Sequence, residues 1–399
     1  MVSSLAYCQE LDLEEVLRRV KQDNYSIKKQ DLSIENSVIS TKNYYKKRFL
    51  PSVGFGAEGE LSEIGDKGVG PKSVSMKIDL DVGRQALNQY KIKKNEFELA
   101  EINRSKTWFS LQEQVISTYF SYLSSKKKSE YTEKTLKSLE IHRRKLEKML
   151  KGGNLIPKNE LLKISIDIEE NNLDLIRSRY NETVLKQKLY TFMGLELDQN
   201  IEFKEINPET LVLSQRFSEL AEVERKGVKA SMNSRVNSLE MENAEYKDKI
   251  AKAELLPKFY VKPEYLFEDA GYTEKGGRVT VGFSWNFEWG NTLNDIEISK
   301  NSLEIAKMNS AESFANLTLQ VRESFERLKM AKLSLDISNK KILLMRENLK
   351  LDTSRFENNL MGSKDYLDSV NSLKEAEERL YEHQQEIFLL DLKLQNLIS

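Results

Sequence analysis

Two stretches of this chain, residues 84–151 and 291–361, contain neither proline nor glycine, although the sequence holds six prolines and seventeen glycines. Those are the residues that ordinarily end a helix. At about 1.5 Å per residue each stretch predicts a helix of roughly 100 Å, far longer than a globular domain. Within the first, Trp108, Leu111, Val115, Tyr119 and Tyr122 step by three or four, and Leu136, Leu139, Leu146 and Leu150 continue a broken form of the same seam. Packing of the coiled-coil kind follows. The Lys, Glu, Asn and Ser on the remaining faces read as solvated surface, in keeping with a chain that is 31% charged.

The periodicity changes where the glycines collect. Twelve of the seventeen lie in 54–83 or 271–290, and there apolar and polar residues alternate. Val53, Phe55, Ala57 and Leu61 alternate with small or acidic residues, and after a Gly-rich loop Val74, Met76, Ile78, Leu80 and Val82 do the same. In the second window Phe259, Val261, Tyr265 and Phe267 are followed by Val279, Val281, Phe283, Trp285, Phe287 and Trp289. Each window predicts a β-hairpin, with strands about 10–12 residues long. One such strand would ordinarily belong to a half-buried sheet of a soluble protein. Four of them, with no other amphipathic segment left to cover their apolar faces, point to a bilayer, which a tilted strand crosses in about 9–11 residues. Val279, Phe283, Trp285, Phe287 and Trp289 then face lipid, Thr280, Ser284 and Glu288 face water, and Phe259, Tyr265 and Phe267 join the tryptophans as girdle aromatics. Four strands cannot close a barrel and hydrocarbon does not tolerate open edges, so the membrane reading requires an oligomer.

Other classes are excluded by composition. The net charge of −1 offers nothing to a polyanion, so no nucleic-acid partner is expected. With one cysteine, Cys8, and two histidines, His142 and His383, the chain has no disulfide framework and no zinc set, and no metal or cofactor is expected. Both histidines are isolated, no nucleophile lies beside a base, and Gly65, Gly68 and Gly70 read as turn residues, so the chain is not read as an enzyme. At the N-terminus, Ser4-Leu5-Ala6 has the small-x-small form of a signal-peptidase site, and residues 1–6 read either as a trimmed signal or as an ordinary start. Leu5-Ala6-Tyr7-Cys8 departs from a lipobox by its tyrosine.

The chain also repeats itself. Leu50-Pro51 recurs as Leu256-Pro257, Gly83-Arg84 as Gly290-Asn291, and Asn154-Leu155-Ile156 with Glu160-Leu161-Leu162 as Asn359-Leu360-Met361 with Asp365-Tyr366-Leu367, at offsets of 206, 207 and 205. Three matches in order at nearly one offset predict a tandem duplication of helix, hairpin, long helix, turn and shorter helix. The segments are an N-terminal piece 1–11, a first repeat 12–194 with hairpin 50–83, a linker 195–213 containing Pro208, and a second repeat 214–399 with hairpin 256–290.

This plan, its hairpins entered at Leu-Pro and left at Gly-Arg or Gly-Asn, and its two turns resemble the TolC family of outer-membrane efflux and secretion channels. The resemblance covers nearly the whole chain. It implies a mainly α chain of long antiparallel coiled-coil helices whose four strands join those of two other copies in a trimeric, twelve-stranded membrane β-barrel. It also implies a passive exit duct in the outer membrane, with helices in the periplasm, working with an inner-membrane pump and a periplasmic adaptor to pass small molecules or polypeptides. The chain departs from the family at Asp79-Leu80-Asp81-Val82 and Asn286-Phe287-Glu288-Trp289, and Asn154 and Asn359 replace the turn glycines. By resemblance Asn154, Leu155, Asn359 and Leu360 form the adaptor-docking tips, although both leucines could simply pack the turns. Asp365 and Asp368, three apart, share a helix face and with Glu160 line the pore gate, where a carboxylate ring favours cations. Asp365 in a first turn would also suit the helix dipole. Where some members lock this end with Tyr and Arg this chain has Phe356 and Met361, so closure is expected to rest on packing. The alternative is a structural or adhesive coiled-coil protein with a soluble β cap.

Overall fold

The computed structural model describes residues 9–59, 69–151, 158–197, 201–206, 220, 231–267, 276–285, 290–358 and 360–398. The helices among the described residues are, in order, α1 (Leu13–Asp23), α2 (Tyr25–Phe49), α3 (Gln85–Lys151), α4 (Lys158–Phe192), α5 (Met232–Ala253), α6 (Asn291–Glu357) and α7 (Ser363–Ile398). The strands are β1 (Gln9–Leu11), β2 (Ser52–Gly59), β3 (Val69–Leu80), β4 (Ile201–Phe203), β5 (Lys258–Leu266) and β6 (Gly276–Ser284). The two breaker-free stretches are indeed the long helices α3 and α6, 67 residues each. The chain forms two compact units, each drawing on both halves of the sequence: 1–28, 106–229 and 318–399 in one, 29–105 and 230–317 in the other.

In the first unit β1 pairs in parallel with β4, and Tyr119 donates its hydroxyl proton toward the carbonyls of Lys204, at 2.7 Å, and Leu11, at 3.3 Å. Phe203 is the hub of the core there, its ring 5.3–6.1 Å from those of Tyr119, Tyr122 and Tyr190. The seam anticipated on α3 is buried from Leu111 to Tyr122, but so are Ile116, Phe120 and Leu123, which lie outside it. Phe120 meets Phe388 of α7 edge-on, so α3 is covered on two sides and its apolar face is wider than one seam. A single helix before the first hairpin is corrected to two. Asn24 breaks it, accepting from the Ser26 amide at 2.8 Å and donating to the Phe192 carbonyl at 2.9 Å, the local bonding by which Asn competes with helix.

The second unit carries one antiparallel sheet of order β2-β3-β5-β6, so the two hairpins are joined edge to edge through β3 and β5. The strands are 8, 12, 9 and 9 residues long, shorter for three of them than the sequence pattern predicts. Residues 286–289, and with them Phe287, Glu288 and Trp289, lie outside the described residues. β3 also ends at Leu80 although the alternation runs on to Val82. The reason is Asp81, whose carboxylate accepts the amides of Ala86 and Leu87, both at 3.0 Å, and so starts α3. Pro263, in a central strand, has no amide to give, and the β3–β5 ladder skips from Ser75/Glu264 to Ile78/Val261 around it. Gly282 lies opposite Tyr260, and a Cβ there would stand 2.5 Å from the tyrosine ring.

Both hairpins leave the sheet through a left-handed residue, Arg84 at φ 53° and Gly290 at φ 92°. These two are 206 apart, so the backbone aligns Arg84, not Gly83, with Gly290. Gly83 is retained for another reason, since a Cβ on it would stand 2.8 Å from that of Ala253. Arg84 bears the cost of a left-handed conformation, about 1 kcal/mol for a residue with a side chain. The Arg84→Gly variant should therefore raise the thermal midpoint of the detergent-solubilised protein, and Arg84→Val should lower it.

Candidate functional site

Directly opposed residues share a sheet face, so the registers sort the four strands into two surfaces. One bears Val53, Val74, Met76, Ile78, Leu80, Phe259, Val261, Pro263, Tyr265, Val279, Val281 and Phe283. None of these residues is charged, although the register also sets Lys72, early in β3, opposite Ala57 on this side, and the surface is open, with Val281 72% and Phe283 67% exposed. Trp285 follows the last strand, also exposed, and its indole donates to the Leu255 carbonyl at 3.2 Å. The opposite surface bears Ser73, Ser75, Lys77, Asp79, Lys258, Tyr260, Lys262, Glu264, Arg278, Thr280 and Ser284. Most of its charges are paired: Glu264 with Arg278 at 2.8 Å and Lys262 at 3.2 Å, and Asp79 with Lys77 at 3.2 Å and Arg48 at 3.3 Å. The sheet thus has one surface suited to hydrocarbon and one suited to water.

The other predicted site lies in the first unit, where α3 ends, α4 begins and α6 turns into α7. Leu136, Leu139, Leu146, Ile164, Ile168 and Leu367 form a small core there. Phe356 of α6 stacks on Tyr366 of α7 at 4.6 Å and 11°, and on its other contact meets His142 of α3 at 4.7 Å, with Lys145 Nζ 5.0 Å from its ring centre. Phe356 is thus held by packing, and a polar link exists one turn away. Asp352, 4% exposed, accepts from Ser369 Oγ at 2.6 Å and Asn348 Nδ2 at 2.9 Å, with Arg355 at 3.6 Å, so a buried carboxylate ties α6 to α7. No sequence motif marked it, because its partners come from two helices.

Asp365 and Asp368 are both exposed on α7 and Glu160 is half-exposed at the start of α4. The carboxylate that Asp368 acts on is Asp167 of α4, which sequence inspection passed over. Burial, then Glu170 and Asp368, push the Asp167 carboxyl above its usual range, with Lys364 opposing. Leu360 is 78% exposed and does not pack its turn, whereas Asn154, Leu155 and Asn359 lie outside the described residues. Among the described residues no three His, Cys, Asp or Glu side chains are placed to hold a metal ion, and no helix is long and apolar enough to cross a membrane.

His142 is buried with Nε2 unpartnered, and burial together with Lys145 lowers its pKa. A pKa lowered by folding gives stability that is whole above the ordinary value of about 6.5 and is lost as pH falls through it toward the folded value. Acidification from about pH 7 to about pH 5 should therefore lower the thermal midpoint, and His142→Gln should flatten that dependence.

No family model matches the sequence, and no curated protein does. Solved structures do. CusC, whose structures concern folding and transmembrane channel formation, is 12% identical and superposes with a TM-score of 0.85 over 97% of this chain and 92% of its own. The outer membrane protein VceC of Vibrio cholerae is 15% identical, with a TM-score of 0.83 over 97% and 95%. The MtrE outer membrane channel of Neisseria gonorrhoeae, in its open state, is 14% identical, with a TM-score of 0.79 over 100% and 93%. The likeness spans both hairpins and both long helices, and the chain has the fold of the TolC-type outer-membrane channels.

Proposed function

We propose that the protein is the exit duct of a tripartite efflux or type I secretion system, set in the outer membrane with its helices in the periplasm, and that it passes small molecules or polypeptides without chemistry of its own. The observation that carries this is the sheet: an exposed surface of apolar residues backed by one whose charges are mostly paired, with β2 and β6 as open edges. Hydrocarbon accepts such a sheet only when its edges are closed, and three copies supply twelve strands, enough for a barrel. Exposed apolar residues at heptad spacing support the same assembly, Leu162, Ile166, Leu173, Ile176 and Tyr180 on α4 and Met330, Ile337, Leu344 and Leu351 on α6. In the homotrimer Asp365, Asp368 and Glu160 ring the narrow periplasmic end, and the tips at Asn154-Leu155 and Asn359-Leu360 receive a periplasmic adaptor coupled to an inner-membrane pump. The segments 12–194 and 214–399, joined by 195–213, are a tandem duplication, in keeping with helix starts at 85 and 291 and strand starts at 52 and 258.

Purified protein should have a trimer's mass in detergent and open discrete channels in a planar bilayer; a monomer without conductance would favour the structural coiled coil. Phe283→Arg, on the apolar surface, should impair assembly, at a cost of roughly 2–4 kcal/mol near mid-bilayer, whereas Ser284→Arg should assemble normally. Equal assembly of the two would remove the membrane from the proposal. The double variant Asp365→Asn, Asp368→Asn should assemble, conduct with reduced cation selectivity and lose sensitivity to multivalent cations added on the periplasmic side. Unchanged selectivity would place both carboxylates outside the pore.

A further inference from the structure

Where α2 ends and α3 begins, beside the first hairpin, the surface is basic and aromatic. Lys42, Lys46, Lys47 and Arg48 precede β2, and Arg84, Lys91, Lys93 and Lys94 follow β3, while neither 42–50 nor 82–95 contains an acidic residue. The corresponding residues of the second half, 248–256 and 288–301, hold five acidic residues (Asp248, Glu254, Glu288, Asp295 and Glu297) against three lysines (Lys249, Lys252 and Lys300). The basic character therefore belongs to one half and is not a requirement of the fold. The two helices are packed together here, since Thr41 Oγ1 donates to the Lys93 carbonyl at 3.2 Å and the rings of Tyr45, Phe49 and Tyr90 cluster at 5.2–6.1 Å. Tyr45, Phe49, Leu50 and Val82 are exposed, as are Lys42, Lys46 and Lys47.

Some of these cations have duties within the chain. Arg48 pairs with Asp79, Lys93 with Glu96, and Lys91 lies over the Tyr246 ring. The dipole of α2 favours Lys46, Lys47 and Arg48 in its last turn, but it has no hold on Lys42 or on Lys91–Lys94, which lie beyond the first turn of α3. Moreover, the patch is continuous with the apolar sheet surface, which begins at Val53 and ends at Leu80. Amphipathic rings and basic side chains next to an apolar band are what a membrane interface carrying negative charge selects.

We propose that this surface binds the headgroup phosphates of anionic phospholipid in the leaflet on the helical side of the membrane, with Tyr45 and Phe49 seated at headgroup depth and Lys42, Lys46 and Lys47 on the phosphates. The proposal rests on the hairpins spanning a bilayer. It is tested by inserting the protein into vesicles of equal phosphatidylglycerol and phosphatidylcholine, extracting it gently and measuring the lipid it retains. The wild type should retain phosphatidylglycerol with an enrichment of about fivefold or more, a step that one lysine near a charged surface supplies. The triple variant Lys42→Gln, Lys46→Gln, Lys47→Gln should insert equally well and fall to near parity, while the corresponding triple arginine variant keeps the enrichment. Glycerol phosphate in solution should not displace the lipid, whereas displacement would make the surface a free-anion site and overturn the proposal. So would equal enrichment in wild type and the glutamine variant. Failure of the wild type to insert would sink the membrane assignment along with this one.

Discussion

An amide left without a partner in hydrocarbon costs several kcal/mol, and the four-stranded sheet has two rows of them, on β2 and β6. Its apolar surface cannot be turned inward, because the opposite one carries Lys77, Asp79, Lys262, Glu264 and Arg278 in ion pairs. Among the described residues nothing covers that apolar surface, so the sheet is suited to lipid on one side, water on the other and further strands at both edges. Local details of the hairpins serve this arrangement. Asp81 ends β3 by capping α3, Pro263 leaves a gap in a central ladder, and Gly282 makes room for the Tyr260 ring on the polar surface.

The helical part is held by different means. Phe203, supplied by a three-residue strand, packs three tyrosines around itself in the first unit. At the α6–α7 turn an aromatic stack and the buried Asp352 hold the two helices together. A carboxylate that keeps two hydrogen bonds and a nearby guanidinium remains tolerable when buried, but removing any partner leaves it unpaired in a low-dielectric site. His142 and Asp167 place two further titratable groups at the same end, with pKa values displaced in opposite directions.

Much of the architecture was legible in the residues because it depends on periodicity and on breakers. The absence of Pro and Gly over two long stretches fixes α3 and α6, strict alternation fixes the strands and which side chains share a surface, and the recurrence of Leu-Pro and of the turn motif aligns the two halves. The same logic fails where a local group overrides the pattern. Asn24 splits the first helix by bonding to Phe192, a residue 168 positions away, and Asp81 stops a strand whose alternation continues. Neither event leaves a periodic trace.

Tertiary structure decided what depends on packing between distant segments. It joined the hairpins through β3 and β5, widened the buried face of α3 by setting α7 against Phe120, placed the left-handed residue of the first hairpin at Arg84, and left no room for a side chain at Gly83 beside Ala253. It put Asp167 in the electrostatic reach of Asp368, and it made Asp352 a link between two helices. A sequence determines which faces of its helices and strands are apolar because that follows from the period of each element. Which faces then meet, and which charged groups come within a few ångströms as a result, is fixed only when the elements pack.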